Sequence, residues 1–131
     1  MTSRNYPAWL RRGARGADEA IIDELSRAMA AKDDEAIRRL LHRAVIVVID
    51  SGGHLNTAPI PLNGRAAAAS ELVSLMSAGT TTATASINSV QGITLLREDR
   101  VVGVITADFR SGRLSSVWVV CNPEKLRHWN R

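Results

Sequence analysis

The sequence predicts an α+β fold, a cone of three N-terminal helices packed on a strongly curved antiparallel sheet. Three observations carry this expectation. Apolar residues at helical spacing dominate the first half of the chain. β-branched runs separated by tight-turn residues dominate the second half, and the last strand, Val117 to Cys121, halts at an Asn-Pro pair. Helices gathered ahead of a run of strands segregate to one face of a sheet instead of alternating in βαβ units.

Residues 1–17 read as a flexible basic arm, because Arg11-Arg12-Gly13-Ala14-Arg15-Gly16 has no apolar period, and residues 18–131 read as the domain. From Asp18 onward Ile21, Ile22, Leu25, Ala28 and Met29 share one helical face. A second helix carries Asp33, Asp34 and Glu35 in its first turn and Arg38, Arg39, His42 and Arg43 at its end, the order that the helix dipole favours. Val45 to Asp50 is a β-branched strand ending at Ser51-Gly52-Gly53. Leu55 to Leu62 contains Pro59 and Pro61, which have no N–H for a ladder, so it is a short edge strand or a loop.

Asn63-Gly64 opens a third helix with Ala69, Leu72, Val73 and Met76 inward and Gly79 as its stop. Strands follow at Thr80 to Val90, Ile93 to Arg97, Val101 to Arg110 and Leu114 to Cys121. Glu98-Asp99-Arg100 and Ser111-Gly112 supply the turns of an antiparallel meander. Asn122 is a good N-cap and Pro123 suits the first helical position, so Leu126 and Trp129 are expected to fold back onto the body.

A chain of 131 residues is one domain with an adequate core. The net charge of +4 invites a nucleic-acid reading, but the arginines are dispersed along the chain, and only Arg4, Arg11, Arg12 and Arg15 cluster, so nucleic acid is not an expected partner. No apolar run approaches the roughly 20 residues of a membrane span, and Met1 to Leu10 lacks a signal-peptide core, which points to the cytoplasm. The single cysteine, Cys121, excludes an internal disulfide and a cysteine metal cluster; a buried, inert thiol is expected.

The last strand is apolar on both faces, with Val117, Val119 and Cys121 on one and Trp118 and Val120 on the other. A one-sided antiparallel sheet alternates apolar with polar residues. The second face therefore needs a cover, most simply a second copy, with Trp118 or Phe109 at or near the contact of a homodimer.

Four short elements carry a family resemblance: Lys32-Asp33, Asp50-Ser51-Gly52-Gly53, Asn88-Ser89-Val90-Gln91-Gly92 and Asn122-Pro123-Glu124-Lys125-Leu126. With the order of elements, they resemble the SnoaL-like branch of the nuclear transport factor 2 superfamily, in particular the extension carried at the C-terminus of some extracytoplasmic-function sigma factors. The likeness spans roughly residues 20–129. It departs from the pattern where Ser51 stands for a glycine and where the third element lacks its proline. The resemblance implies a cystatin-like cone with a cavity, a small partly apolar ligand, and a sigma factor as possible partner.

Asp50 and His54 are the one Asp/His pair near the expected cavity mouth. SnoaL-like cyclases resemble this in using such a pair for acid–base chemistry on an enolisable ketone. The plainer reading is that Asp50 caps the Gly52-Gly53 turn. Trp118, Asp108, Thr106 and Asn88 are the candidate ligand-binding residues. Asp108 either lines the cavity or pairs with Arg110 or Arg113; Thr82, Thr84, Ser86 and Asn88 form a polar strand face. His42, His54 and His128 lie far apart and no metal-ligand spacing occurs, so neither a metal nor a cofactor is expected.

Overall fold

Amphipathic helices and a bent sheet close around one apolar interior. In this computed structural model residues 8–52, 61–87 and 89–130 are described, and for residues 8–15 the backbone alone. The elements run α1 (Ala8–Ala30), α2 (Asp34–Leu40), β1 (Leu41–Asp50), β2 (Leu62–Asn63), α3 (Arg65–Ser74), β3 (Thr81–Ile87), β4 (Val90–Arg97), β5 (Arg100–Arg110), β6 (Arg113–Val120) and α4 (Pro123–Leu126), and the chain closes on a 3-10 turn, Arg127–Asn130.

The first helix begins at Ala8, ahead of the Asp18 at which its apolar stripe starts, so part of the expected arm is helical. Asp33 caps α2 by accepting a 3.1 Å hydrogen bond from the amide of Ala36. Leu41 ends the helix in extended backbone and opens β1 without a loop.

The six strands are ordered β2-β1-β6-β5-β4-β3. The meander β3 to β6 is antiparallel as expected, but β1 joins it in parallel to β6, with Val47 beside Val117 and Ile49 beside Val119. The sheet is therefore mixed, and the expectation of a purely antiparallel one is corrected. A parallel pair needs a long crossover, here supplied by α3 and the meander between β1 and β6. Two-residue turns at Glu98-Asp99 and Ser111-Gly112 hold all four residues at positive φ, the twist that suits a tight hairpin. Bulges between Leu95 and Leu96 and between Asp108 and Phe109 bend the sheet into its cone.

The concave face is filled by aliphatic side chains. Val45 and Val47 of β1, Val117 and Val119 of β6, Ile105 of β5 and Ile93 and Leu95 of β4 are 0–2% exposed and meet Ile22, Leu25 and Met29 of α1 and Leu72 of α3. Side chains so fully enclosed leave no water-sized space beside them. Gly92, which faces the convex side beside Ile87, is demanded by close packing there. A β-carbon there would lie 2.6 Å from the carbonyl oxygen of Ile105 and would strike the Ile87 side chain.

The convex face is covered in part by the chain's own ending. Leu126, 4% exposed, packs on Ile87, Val104 and Val120. Asn130 clamps β5 by accepting from the amide of Val101 at 2.7 Å and donating to its carbonyl at 2.9 Å. Trp129 remains 38% exposed, so the anchor after Leu126 is the amide of Asn130 and not the indole. Phe109 packs against the concave-face core. Trp118, 41% exposed, and Ile46, 39% exposed, stay open on the convex face, as do Trp129 and, opposite Ile87, Val90.

Candidate functional site

Asp50 lies on the convex side of the sheet. Val45, Val47 and Ile49 face the core, so by strand alternation Asp50 faces away from it, beside Val120 of β6. Its carboxylate is held by two groups: Lys125 places Nζ 2.5 Å from Oδ2, and the amide of Gly52 donates to Oδ1 at 3.1 Å. The Lys125 hydrogen bond, then the Gly52 amide and the Lys125 charge, hold the carboxyl below its ordinary value against the opposing effect of partial burial. A carboxylate so stabilised is a weak proton acceptor.

The chain ending builds this arrangement. Asn122 caps α4 by accepting from the Glu124 amide at 3.0 Å, and Pro123 occupies the first helical turn. Cys121 donates its amide to the Asp50 carbonyl at 2.7 Å, which carries the β1–β6 ladder one step further. Gly52 has φ +93°, and a β-carbon there would stand 3.1 Å from Asn122 Oδ1. The Asp-x-Gly and Asn-Pro-x-Lys elements, remote in sequence, are thus one structural unit.

The other candidates separate into those the structure places and those it does not describe. Trp118 and Thr106 are cross-strand neighbours on the convex face, and Asp108 lies on the same face opposite Ser116. Asp108 forms no ion pair with Arg110 or Arg113 among the described residues. His54 and Asn88 lie outside the described residues. Thr82 of the polar strand face donates to the Ser26 carbonyl at 3.2 Å and accepts from the Ser26 hydroxyl at 2.8 Å, which ties β3 to α1.

On the concave side Ile49 and Cys121, at the ends of β1 and β6, pack on the core but stay half-buried. Burial, then the nearby charges of Asp50 and Glu71, push the Cys121 thiol up and leave it protonated. Ser26 and Thr94 are the buried polar residues among those described, and each has a hydrogen-bond partner. Among the described residues, no group of His, Cys, Asp and Glu side chains is arranged to hold a metal ion. No helix there is long and apolar enough to cross a membrane.

Sequence reasoning missed two features. Asp18 continues the inward stripe of α1 (Ile22, Leu25 and Met29 follow at +4, +7 and +11), and burial pushes its carboxyl up. That spacing was visible in the sequence. Dispersed arginines also converge in space: burial first, then Arg110, Arg43, Arg65 and Arg113 in turn, press the His42 imidazole below its ordinary value. They come from three strands and a helix, so no linear motif announces them.

No family model matches the sequence, and no curated protein matches it. Solved structures share its fold. The extracytoplasmic function sigma factor SigJ of Mycobacterium tuberculosis superposes with a TM-score of 0.64 at 20% identity, over 90% of this chain and 46% of that chain, so this chain spans about half the length of SigJ. A ketosteroid isomerase-like protein from Kribbella flavida gives a TM-score of 0.60 at 14% identity, over 81% of this chain and 78% of that one. An NTF2-like protein of unknown function from Mesorhizobium loti gives 0.59 at 13% identity, over 81% and 91%. The chain has the NTF2-like cone fold.

Proposed function

We propose that this chain is a binding domain with a regulatory role, which takes a small, partly apolar molecule at the mouth of its cone and does not turn it over. One observation carries the reading. The convex face holds Asp50, ion-paired to Lys125, while the described concave face is aliphatic and leaves Ile49 and Cys121 half-buried at the strand ends. An apolar wall favours a ligand by burial alone, whereas enolisation needs a base whose pKa lies nearer neutrality. The test is titration with Nile red, a neutral apolar probe. Saturable binding at one site, lost in Ile49→Trp, supports the reading; its absence overturns it.

The enzyme alternative, an isomerase or cyclase using Asp50 with His54, is supported by fold alone, shared with a ketosteroid isomerase-like and a polyketide cyclase-like protein. Turnover of a β,γ-unsaturated ketosteroid that is abolished by Asp50→Asn would establish it. A second reading is favoured by the filling of the deep interior. It makes the chain an interaction module acting in trans on a sigma factor, in keeping with its likeness to SigJ. Co-elution with a purified extracytoplasmic-function sigma factor core tests it. The homodimer expected from the sequence would compete with any other partner for the open strip at Ile46 and Trp118, and sedimentation at micromolar concentration tests whether a second copy occupies it.

A further inference from the structure

A group of guanidinium groups stands at the end of the sheet where β1 and β6 begin. Arg110 and Arg113 face each other across the last hairpin. Arg113 donates from Nη1 to the Arg39 carbonyl at 2.9 Å, and Arg65 donates from Nε to the Leu41 carbonyl at 2.9 Å, so both groups are fixed against the end of α2. Arg43 follows two residues after Leu41, and His42 lies among them. None of Arg39, Arg43, Arg65, Arg110 and Arg113 makes an ion pair among the described residues. Guanidinium groups fixed by one N–H keep others free for a carboxylate or phosphate.

The cluster is continuous with the open apolar strip. Ile46 sits beside Ser116, and Trp118 lies between Val48 and Thr106 on the convex face. From Arg113 to Trp118 along β6 is about 16 Å at about 3.3 Å per residue. Basic and apolar surface therefore adjoin, over a length that about eleven helical residues would cover at about 1.5 Å each.

We propose that this face docks an acidic amphipathic segment of another protein, its carboxylates meeting the guanidinium groups around His42 and its apolar side chains covering Ile46 and Trp118. A nucleic-acid backbone would engage the guanidinium groups but leave Ile46 and Trp118 bare. A second copy brings the same arginines and the same net charge of +4, so it complements the cluster less well than an acidic segment does. The proposal stands apart from the ligand reading at the cone mouth, since occupancy of the mouth does not alter this surface.

The experiment uses the full chain and a fluorescein-labelled peptide of Glu and Leu, with Leu at i, i+3, i+4 and i+7, followed by anisotropy. Saturable binding is expected, weakened about tenfold by Arg110→Gln combined with Arg113→Gln and by a similar factor in Trp118→Ala. Added salt should weaken the contact of the Trp118 variant further. Arg113 also holds the end of α2, so Arg43→Gln, which removes no hydrogen bond seen here, provides a second variant; it should weaken binding without lowering the melting temperature. Four results would each overturn the proposal: no binding, binding indifferent to Trp118→Ala, tighter binding of a DNA duplex than of the peptide, or a dimer that shields Trp118 from acrylamide.

Discussion

Lys125 and Asp50, 75 residues apart, meet at 2.5 Å on the convex face, where the helix after the last strand returns to the end of the first. The lysine is 62% exposed, so the pair is a surface one, worth about 0.2–1 kcal/mol. Lys125→Ala should therefore lower the melting temperature only slightly. Because Asp50 is held below its ordinary value, its contribution is present above the unfolded carboxyl pKa of about 3.9 and is lost as pH falls through the lower native value. Urea melts of wild type and Asp50→Asn should converge in acid and differ above about pH 4.

Leu126 is the residue of the ending that matters for stability. Leu126→Ala should cost about 2–3 kcal/mol, because the side chain is buried against Ile87, Val104 and Val120. Truncation after Cys121 should cost more, since it also removes the Asn130 clamp on Val101. Thermal denaturation of both variants checks the order. A silent truncation would refute it.

Gly92→Ala should destabilise by about 1–3 kcal/mol through overpacking. The double variant with Ile87→Ala should not be rescued, because the carbonyl oxygen of Ile105 would still stand 2.6 Å from the new methyl group. Chemical melts of the single and double variants decide this.

His42 reports on the arginine cluster. Its imidazole is held below its ordinary value by burial and by Arg110, Arg43, Arg65 and Arg113, so it charges later in the folded than in the unfolded chain as pH falls. Stability is therefore lost from about pH 6.5 downward, until the native pKa is passed. An NMR titration should place His42 below the usual histidine midpoint. Arg110→Gln should move it up.

The local signals were legible. Asn122 and Pro123 were read as a cap and a first helical turn, and both serve so. The face of Asp50 was also legible, since Val45, Val47 and Ile49 alternate inward and leave the next residue outward, yet the glycines after it drew attention to a turn at a cavity. What could not be read was the partnering of remote strands. No residue of Leu41 to Asp50 specifies that its neighbour is Arg113 to Val120, or that it runs parallel to it. The same pairing gathers Arg43, Arg65, Arg110 and Arg113, so the basic cluster was hidden for the same reason as the sheet order.

The parallel junction of β1 and β6 has a consequence for how the chain is made. When β1 leaves the ribosome its main partner has not been synthesised, and the two-residue strand β2 offers it little in the meantime. The apolar stripes of the first helices must wait, exposed, for the last strand to arrive. Contacts of such long sequence separation slow folding. A nascent chain halted before Arg113 is thus expected to lean on a holding chaperone, and release of the final strand to trigger closure of the whole cone in one cooperative event.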